Sequence, residues 1–584
     1  MQVLGINPGH NGTAALLKDG KVIACVSEER FSRLKNHVGF PHESVKYCLN
    51  FAGIEGKDLD YVILSTTSED LSKKGRTYDI FHQLYSTKNF VKKTFGYLTY
   101  KFPTLTNPII NFKHNLYNKK NKMKTIENNK REMSQYFNVS PDKIICIDHH
   151  LSHALSTCFN LPKDEKTLIF TLDGEGDFLC ATVNIFDGEK VKRIATSPKA
   201  ASLGYLYAIA TLYLGMKPNQ HEFKVMGMAP YAKKDKVEKL LPMFKEIIWI
   251  DNFKWDSKFR MQYADSFMLE KMKYQRFDVI SGAIQKLSED LIVEWIKNSI
   301  KKTGIKNVAL AGGVMMNVKA CQKVYEMEDV ENLFIVPSAG DESTSIGACF
   351  YGYEKCCAEN NKNFNPKPIE ELYLGPKYDE KYIKKMIRIE NISEKYKITK
   401  EKNINEKVAS LLAKGEIVAR CSERSEFGAR ALGNRSILAN PCDKKTIKIL
   451  NETIKDRDFW MPFTPSMLDK FEKKYIVNPK KMFAPYMLIT FEATEKAKKD
   501  LPAAMHPYDE TTRPQIVTKK FNPEYYDLIE RFSKKTGIGA LLNTSFNLHG
   551  EPNVLTPEDA IHTVENSDLK FLAIGDYLFE KKLI

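Results

Sequence analysis

Two stretches of this 584-residue chain repeat one plan. The first, MQVLGINPGHNGTAALLKDGKVIACVSEERF, reads as a strand (QVLGIN), a Gly-rich bend, a second strand (TAALLK), a DG turn and a third strand (KVIACVSEE). The second opens at IICIDHHLSHA and continues as TLIFTLDGEGDFLCATVNIFDGEKVKRI, again strand, glycine turn and hairpin. Short β-branched apolar runs punctuated by Gly and Asp-Gly have the period of strands and the turns of hairpins. The same unit met twice predicts an α/β fold with a duplicated domain.

Two such halves are the arrangement of the actin, Hsp70 and sugar-kinase superfamily, and an N-terminal domain of that kind is expected. NVALAGGVMMNVKACQKVY adds a buried strand, a double glycine and a helix whose first amides face whatever sits at the glycines. FIVPSAGDESTSIGACFYGYE follows, with Asp341 on a Ser/Gly-rich loop at the next helix start. The chain is too long for one core, and the Pro-rich, polar NFNPKPIEELYLGPKYDE (363–380) marks a boundary between domains at 1–365 and 366–584. Beyond it, EKVASLLAKGEIVARCSERSEFGARALGNRSILANP reads as a helix, a strand and a loop dense in Arg and Gly.

A net charge of +15 suggests nucleic acid until it is located. Residues 71–133 hold 14 Lys or Arg against 3 Asp or Glu, and the rest of the chain is nearly balanced. The excess therefore belongs to one insertion, expected to be solvated and partly helical, and no nucleic-acid partner is expected. Its aromatics, interleaved with lysines, also suit a membrane surface, an acidic partner or RNA. No basic leader precedes an apolar stretch, no uncharged apolar run is long enough to span a bilayer, and none of the 11 cysteines is in C-x-x-C spacing. A cytoplasmic protein with reduced thiols is expected.

Three of the 12 histidines fall within five positions of IDHHLSHALS. KIICI before them is strand-like, and Asp148 is placed to cap a helix beginning at the histidines. On that helix His149 and His153 share one face, which suits a metal ion. Position 150 is His and not Glu, so the H-E-x-x-H protease motif is absent. One capping and one packed histidine would explain the pair equally well. Asp173, where TLIFTL meets the DGEGD turn, and Asp341 are the carboxylates that would complete a mixed N/O site for Fe(II), Mn(II) or Zn(II); each alone also fits a cap or a turn.

The motifs LGINPGHNGTAALL, EERFSRLKN, DHHLSHA, TLDGEGD, HEFKVMGMAPY, LAGGVMMNV, PSAGDESTSIGA, EFGARALGNRSILANP, TTRPQ and LNTSFNLHGEP occur in order over almost the full length. They resemble the O-carbamoyltransferases of nodulation-factor and antibiotic biosynthesis. The resemblance implies an N-terminal domain similar to the threonylcarbamoyl transferase of tRNA modification and a C-terminal YrdC-like α/β domain. It implies carbamoyl phosphate and ATP as cosubstrates, the latter with Mg2+, a carbamoyl-adenylate intermediate, and a divalent metal, typically Fe2+, held by His149, His153, Asp173 and Asp341. His150 would support these ligands. His10 would be the base for an acceptor hydroxyl and Lys35 would stabilise charge on the departing adenylate. Glu222, Lys224, Gly312, Gly313 and Asn317 would line the nucleotide cleft. Arg424, Arg430, Arg435, Lys455, Arg457, Arg513, Asn543, Ser545 and Asn547 would supply cations and neutral donors to carbamoyl phosphate and ATP. The family's RPFAPS is MPFTPS here, so Met461 stands where a cation is usual.

The expected function is ATP-dependent O-carbamoylation of a hydroxyl on a small metabolite or glycoconjugate, with a homodimer compatible with that reading. An actin-like sugar kinase would share the hairpins without needing four metal ligands. An RNA- or membrane-surface-binding factor would use 71–133 as its main contact.

Overall fold

The computed structural model describes residues 1–71, 90–389, 392–455 and 457–582; 72–89 of the basic insertion lie outside the described residues. It is a mixed α/β protein in two compact units. One comprises 1–28 and 36–369, the other 29–35 and 370–584.

The first unit contains two five-stranded sheets of identical connectivity. Strands β1 (Gln2–Asn7), β2 (Thr13–Lys18), β3 (Lys21–Ser27), β4 (Tyr61–Leu64) and β5 (Ile144–Cys146) lie in the order β3-β2-β1-β4-β5. Strands β6 (Thr167–Gly176), β7 (Leu179–Phe186) and β8 (Val191–Pro198) precede a small hairpin of β9 (Ile248–Asp251) and β10 (Lys254–Ser257). With β11 (Asn307–Ala311) and β12 (Asn332–Ile335) they form the second sheet, β12-β11-β6-β7-β8. In each sheet the first strand pairs antiparallel with its hairpin and parallel with the strand on its other side; Ile144–Cys146, which the sequence suggests as the opening of the second copy, is instead the last strand of the first sheet.

β1 is almost wholly buried, with Val3, Leu4 and Ile6 at zero exposure, as a strand covered on both faces must be. The helix Thr344–Glu359 packs directly on it. Two glycines permit the close approach. A Cβ on Gly5 would lie 2.0 Å from the Ser345 carbonyl oxygen, and one on Gly347 would lie 1.8 Å from that of Ser152. The second contact brings the helix that follows Asp341 against the helix His149–Thr157.

The second unit is built on a mixed eight-stranded sheet: β13 (Tyr396–Lys400), β14 (Val418–Cys421), β15 (Arg435–Ala439), β16 (Thr464–Leu468), β19 (Gln515–Val517), β20 (Ala540–Ser545), β21 (Phe571–Ile574) and β22 (Tyr577–Lys581), with a separate pair β17 (Phe491–Glu492) and β18 (Thr511–Thr512). The order is β13-β22-β21-β14-β15-β20-β16-β19. Residues 29–35 belong to this unit because their arginines donate into it. Arg30 Nη2 reaches the Gly428 carbonyl at 2.7 Å, and Arg33 Nη1 and Nη2 reach those of Asn553 and Pro552 at 2.8 and 3.0 Å. A boundary drawn only at 365/366 leaves this stretch, Lys35 included, with the first domain; the guanidinium bonds put it with the second.

The described part of the basic insertion is helical, as Phe90–Lys101 and Pro103–Phe137. Among the described residues no helix is long and apolar enough to cross a membrane.

Candidate functional site

The histidine helix starts where the sequence places it. Asp148 is its N-cap, its side chain accepting from Leu151 N at 2.8 Å while Arg193 Nη2 donates to it at 2.5 Å. Asp177 accepts from the His149 amide at 2.9 Å and from that of Thr67 at 3.1 Å, tying the helix start to the end of β4. His149 and His153 therefore project from a fixed turn. Gly176 makes room for the first, since a Cβ there would lie 2.0 Å from His149 Cδ2.

Asp173 lies in β6, which runs on through the glycine turn to Gly176 where the sequence suggests an end at Leu172; the β6–β7 register shifts at that point. A bulge of this kind re-aims a side chain. Gly312, at φ 99°, and Gly313 sit against it. A Cβ on Gly312 would be 2.3 Å from the Leu172 carbonyl oxygen, and one on Gly313 2.9 Å from Asp173 Oδ1. These glycines thus give Asp173 its space. Asp341 begins a short 3-10 turn leading into the helix Thr344–Glu359.

One ligand atom from each of His149, His153, Asp173 and Asp341 lies within 4.8 Å of all the others. His149 Nε2 is 3.2 Å from Asp173 Oδ2 and 3.5 Å from Asp341 Oδ1; His153 Nε2 is 3.5 Å from both oxygens. Donor atoms about 2.1 Å from a common ion stand roughly 3.0 to 3.4 Å apart along the edges of their polyhedron. His153 has no solvent exposure, and neither of its ring nitrogens has a hydrogen-bond partner. Such groups are costly to bury unless something else engages them. Two imidazoles and two carboxylates thus fit a divalent first-row metal.

The electrostatics agree. Burial alone would depress His149, but the Asp173 and Asp341 carboxylates hold it well above the usual histidine range, and His153 is raised by the same pair. Asp341 is held well below the usual carboxylate range despite its burial, by His10, His149 and His153. His150 turns away to Thr171 Oγ1 at 2.8 Å. It is pushed down to about 3 by burial and by its two neighbours, so it stays neutral. His10 stands on the far side of Asp341, Nδ1 to Oδ2 3.6 Å, and its Nε2 is buried without a hydrogen-bond partner.

Glu69 is a residue that sequence reasoning missed. Its carboxylate lies where a Cβ on Gly9 would come within 2.7 Å. Burial pushes it up to about 7, against the pull of His149 and with the help of Asp177 and Asp341. The only sequence signal was the side-chain-free Gly9 beside His10. Of the expected nucleotide-cleft residues, Glu222 opens the helix Glu222–Met228 and accepts from the Asn219 amide at 2.6 Å, with Lys224 on the same helix. Asn317 caps the helix Val318–Glu326 and pairs with Gln285 at 2.9 Å.

In the second unit the expected cations fall into two groups. Arg435, fully buried, donates to the carbonyls of Leu555, Ser422 and Asn434 at 2.7 to 3.0 Å. Arg424 donates to those of Gly375 and Leu374 at 3.0 and 2.5 Å. These two brace backbone. Arg430, Arg457 and Arg513, by contrast, press on one another. Burial, then Arg430 and Arg457, hold Arg513 well below the usual arginine range, and burial and Arg430 push Arg457 down to about 10. A half-buried trio of guanidinium groups repelling one another suits an anion. Asn543 donates to the Ala431 carbonyl at 3.0 Å and to Ser466 Oγ at 2.9 Å, and Ser545 Oγ donates to Asn547 Oδ1 at 2.5 Å. Met461 is buried; Lys455 ends the π-helical turn Leu450–Lys455, and its side chain lies outside the described ones.

Relatives share both units. The chain is 30% identical to nodulation protein NolNO of Sinorhizobium fredii over 98% of its own length and 79% of that protein's. It is 32% identical to the 3'-hydroxymethylcephem-O-carbamoyltransferase of Amycolatopsis lactamdurans over 30% of this chain and 33% of that one. Among solved structures, phosphate- and nucleotide-bound HypF superposes with a TM-score of 0.32 at 13% identity, over 62% of this chain and 56% of that one. The family profile described as carbamoyltransferase N-terminus matches residues 2–350, and the one described as carbamoyltransferase C-terminus matches 409–581. The chain belongs to the carbamoyltransferase family, enzymes that transfer carbamoyl groups.

Proposed function

We propose that this enzyme carbamoylates a hydroxyl of a small metabolite or glycoconjugate in the cytoplasm, from carbamoyl phosphate and ATP by way of carbamoyl-adenylate. The observation that carries the reading is the cluster of His149, His153, Asp173 and Asp341 with His10 facing the outer oxygen of Asp341. The first unit is read as an actin-like transferase domain, supported by its two sheets of equal connectivity. The second is read as a YrdC-like adenylate-forming domain, supported by the arginine trio.

In the second unit Arg430, Arg457 and Arg513 bind carbamoyl phosphate and the triphosphate, the latter with Mg2+. Water releases phosphate from carbamoyl phosphate, and the carbamate oxygen attacks the α-phosphorus of ATP, expelling pyrophosphate. Keeping this anhydride from water preserves it for the acceptor. In the first unit the acceptor oxygen attacks the carbamoyl carbon and AMP leaves. Asp341 Oδ2 favours the proton on His10 Nδ1, which leaves Nε2 the lone pair that takes the hydroxyl proton. Glu222 and Lys224 are assigned to the nucleotide of the departing adenylate. A divalent metal, Fe2+ in the first instance, held by His149, His153, Asp173 and Asp341 would supply Lewis-acid polarisation to the carbonyl or acceptor oxygen.

The test is incubation with isotopically labelled carbamoyl phosphate, ATP, Fe2+ and a metabolite extract of the source cell. A labelled product heavier than its precursor by one carbamoyl group supports the reading; label recovered only as carbamate and its breakdown products contradicts it.

A further inference from the structure

Among the described residues the helical insertion leaves an unpartnered apolar corner. At the turn between Phe90–Lys101 and Pro103–Phe137, the side chains of Phe102, Leu105 and Ile109 are 52%, 68% and 60% exposed. Their spacing of three and four residues keeps them along one side of the helix start. A second segment stands beside them. The helix Asp265–Lys271 packs on Phe90–Lys101. Lys101 Nζ bonds Glu270 Oε2 at 2.6 Å, and Tyr100 meets the rings of Phe259 and Phe267 at 5.1 and 6.4 Å. On that second segment Leu269 and Tyr274 are exposed, and Lys271 and Lys273 lie between them, Lys273 over the Tyr274 ring at 4.9 Å.

The charge around this corner is mostly positive: Lys101, Lys271 and Lys273 stand with the carboxylate of Glu270, which pairs with the first two at 2.6 and 3.1 Å. Residues 94–112 contain one charged residue, Lys101. Apolar side chains rimmed by ammonium groups match the depth profile of an anionic bilayer: the apolar tips enter the acyl boundary and the lysines meet the phosphates. No described helix is long enough in apolar residues to cross, so the contact is one of lying on the surface. Stacked bases would use flat rings and have no use for aliphatic Leu105, Ile109 and Leu269.

We infer that the Phe102–Ile109 corner, with the Leu269–Tyr274 segment, docks the first unit onto an anionic lipid surface. This goes beyond carbamoyl transfer and does not depend on it. The full-length protein is sedimented with phosphatidylcholine vesicles with and without phosphatidylglycerol, at low and high salt. Expected are co-sedimentation with the anionic vesicles only, weakened by salt, and an at least tenfold lower bound fraction when Phe102, Leu105 and Ile109 are all changed to Ser. Lys271→Glu with Lys273→Glu provides a second variant on another segment, expected to lose anionic binding at an unchanged melting temperature. Wild type left in the supernatant with anionic vesicles overturns the inference. So does equal binding by both variants, or a wild-type dimer in velocity sedimentation that the serine variant breaks while vesicle binding is absent, which would make a second copy the occupant.

Discussion

Replacing Arg513 by Met should make the ligand-free enzyme more stable and catalytically dead. Burial and the charges of Arg430 and Arg457 hold Arg513 well below the usual arginine range. A base whose folded pKa lies below its unfolded value costs stability at every pH below the folded value. Its neighbour sets the scale: Arg457, pushed from 12.5 down to about 10, corresponds to roughly 3 kcal/mol at about 1.4 kcal/mol for each tenfold change. Arg513 is also partly open to water, and screening reduces what its removal returns to about 1–2 kcal/mol. Met keeps most of the stem without the charge. For a unit of this size each kcal/mol raises Tm by about 2–4 °C. The assay is calorimetric melting with and without carbamoyl phosphate. Wild type should start lower and rise with ligand, whereas the variant should start higher and respond little, with no pyrophosphate release. A variant that melts below wild type and still gains from ligand refutes the argument that this trio is an electrostatically strained anion site.

His10→Ala should preserve carbamoyl phosphate-dependent pyrophosphate release and abolish transfer; loss of both, with metal content intact, would join the two chemistries in one composite site. Asp341→Asn, which keeps shape and removes the charge shared by His149, His153 and His10, should lower metal affinity at least about 100-fold, read by metal analysis after gel filtration. Gly176→Ala should displace His149, whose Cδ2 would lie 2.0 Å from the new methyl group, and lower metal content while leaving pyrophosphate release unchanged. The metal-stripped protein should lose stability as pH rises above the usual histidine value of 6.5 and through the raised values of His149 and His153, because their protonated pairing with Asp173 and Asp341 is lost there. The metal-loaded protein should show no such fall between pH 6.5 and 8 by thermal melting.

The duplicated sheets and the helix capped by Asp148 were legible because strand period, glycine turns and caps are local signals. The assembly of His149, His153, Asp173 and Asp341 was within reach because His149 and Asp341 open a helix or turn, His153 follows one helical turn on, and Asp173 lies near the carboxyl end of its strand, positions from which this class of fold presents side chains. Three things were not legible. Equal-looking arginines differ in what they touch: Arg435 spends its donors on backbone carbonyls, while Arg430, Arg457 and Arg513 repel one another. Nothing in TTSED marks Glu69, which the fold alone brings against Gly9. Residues 29–35 follow directly on β3 in sequence, yet their arginines bond to carbonyls of the second unit. Each depends on contacts between residues far apart in the chain, which neither period nor propensity encodes.

The central claim, carbamoyl activation by adenylation followed by transfer to a hydroxyl, is tested most directly by the nucleotide products. ATP labelled in its α-phosphate is followed in the presence and absence of carbamoyl phosphate and acceptor. The account predicts pyrophosphate only when carbamoyl phosphate is present, and AMP formed in step with the carbamoylated product. ADP formed independently of carbamoyl phosphate, with a phosphorylated acceptor, would contradict it and identify a kinase.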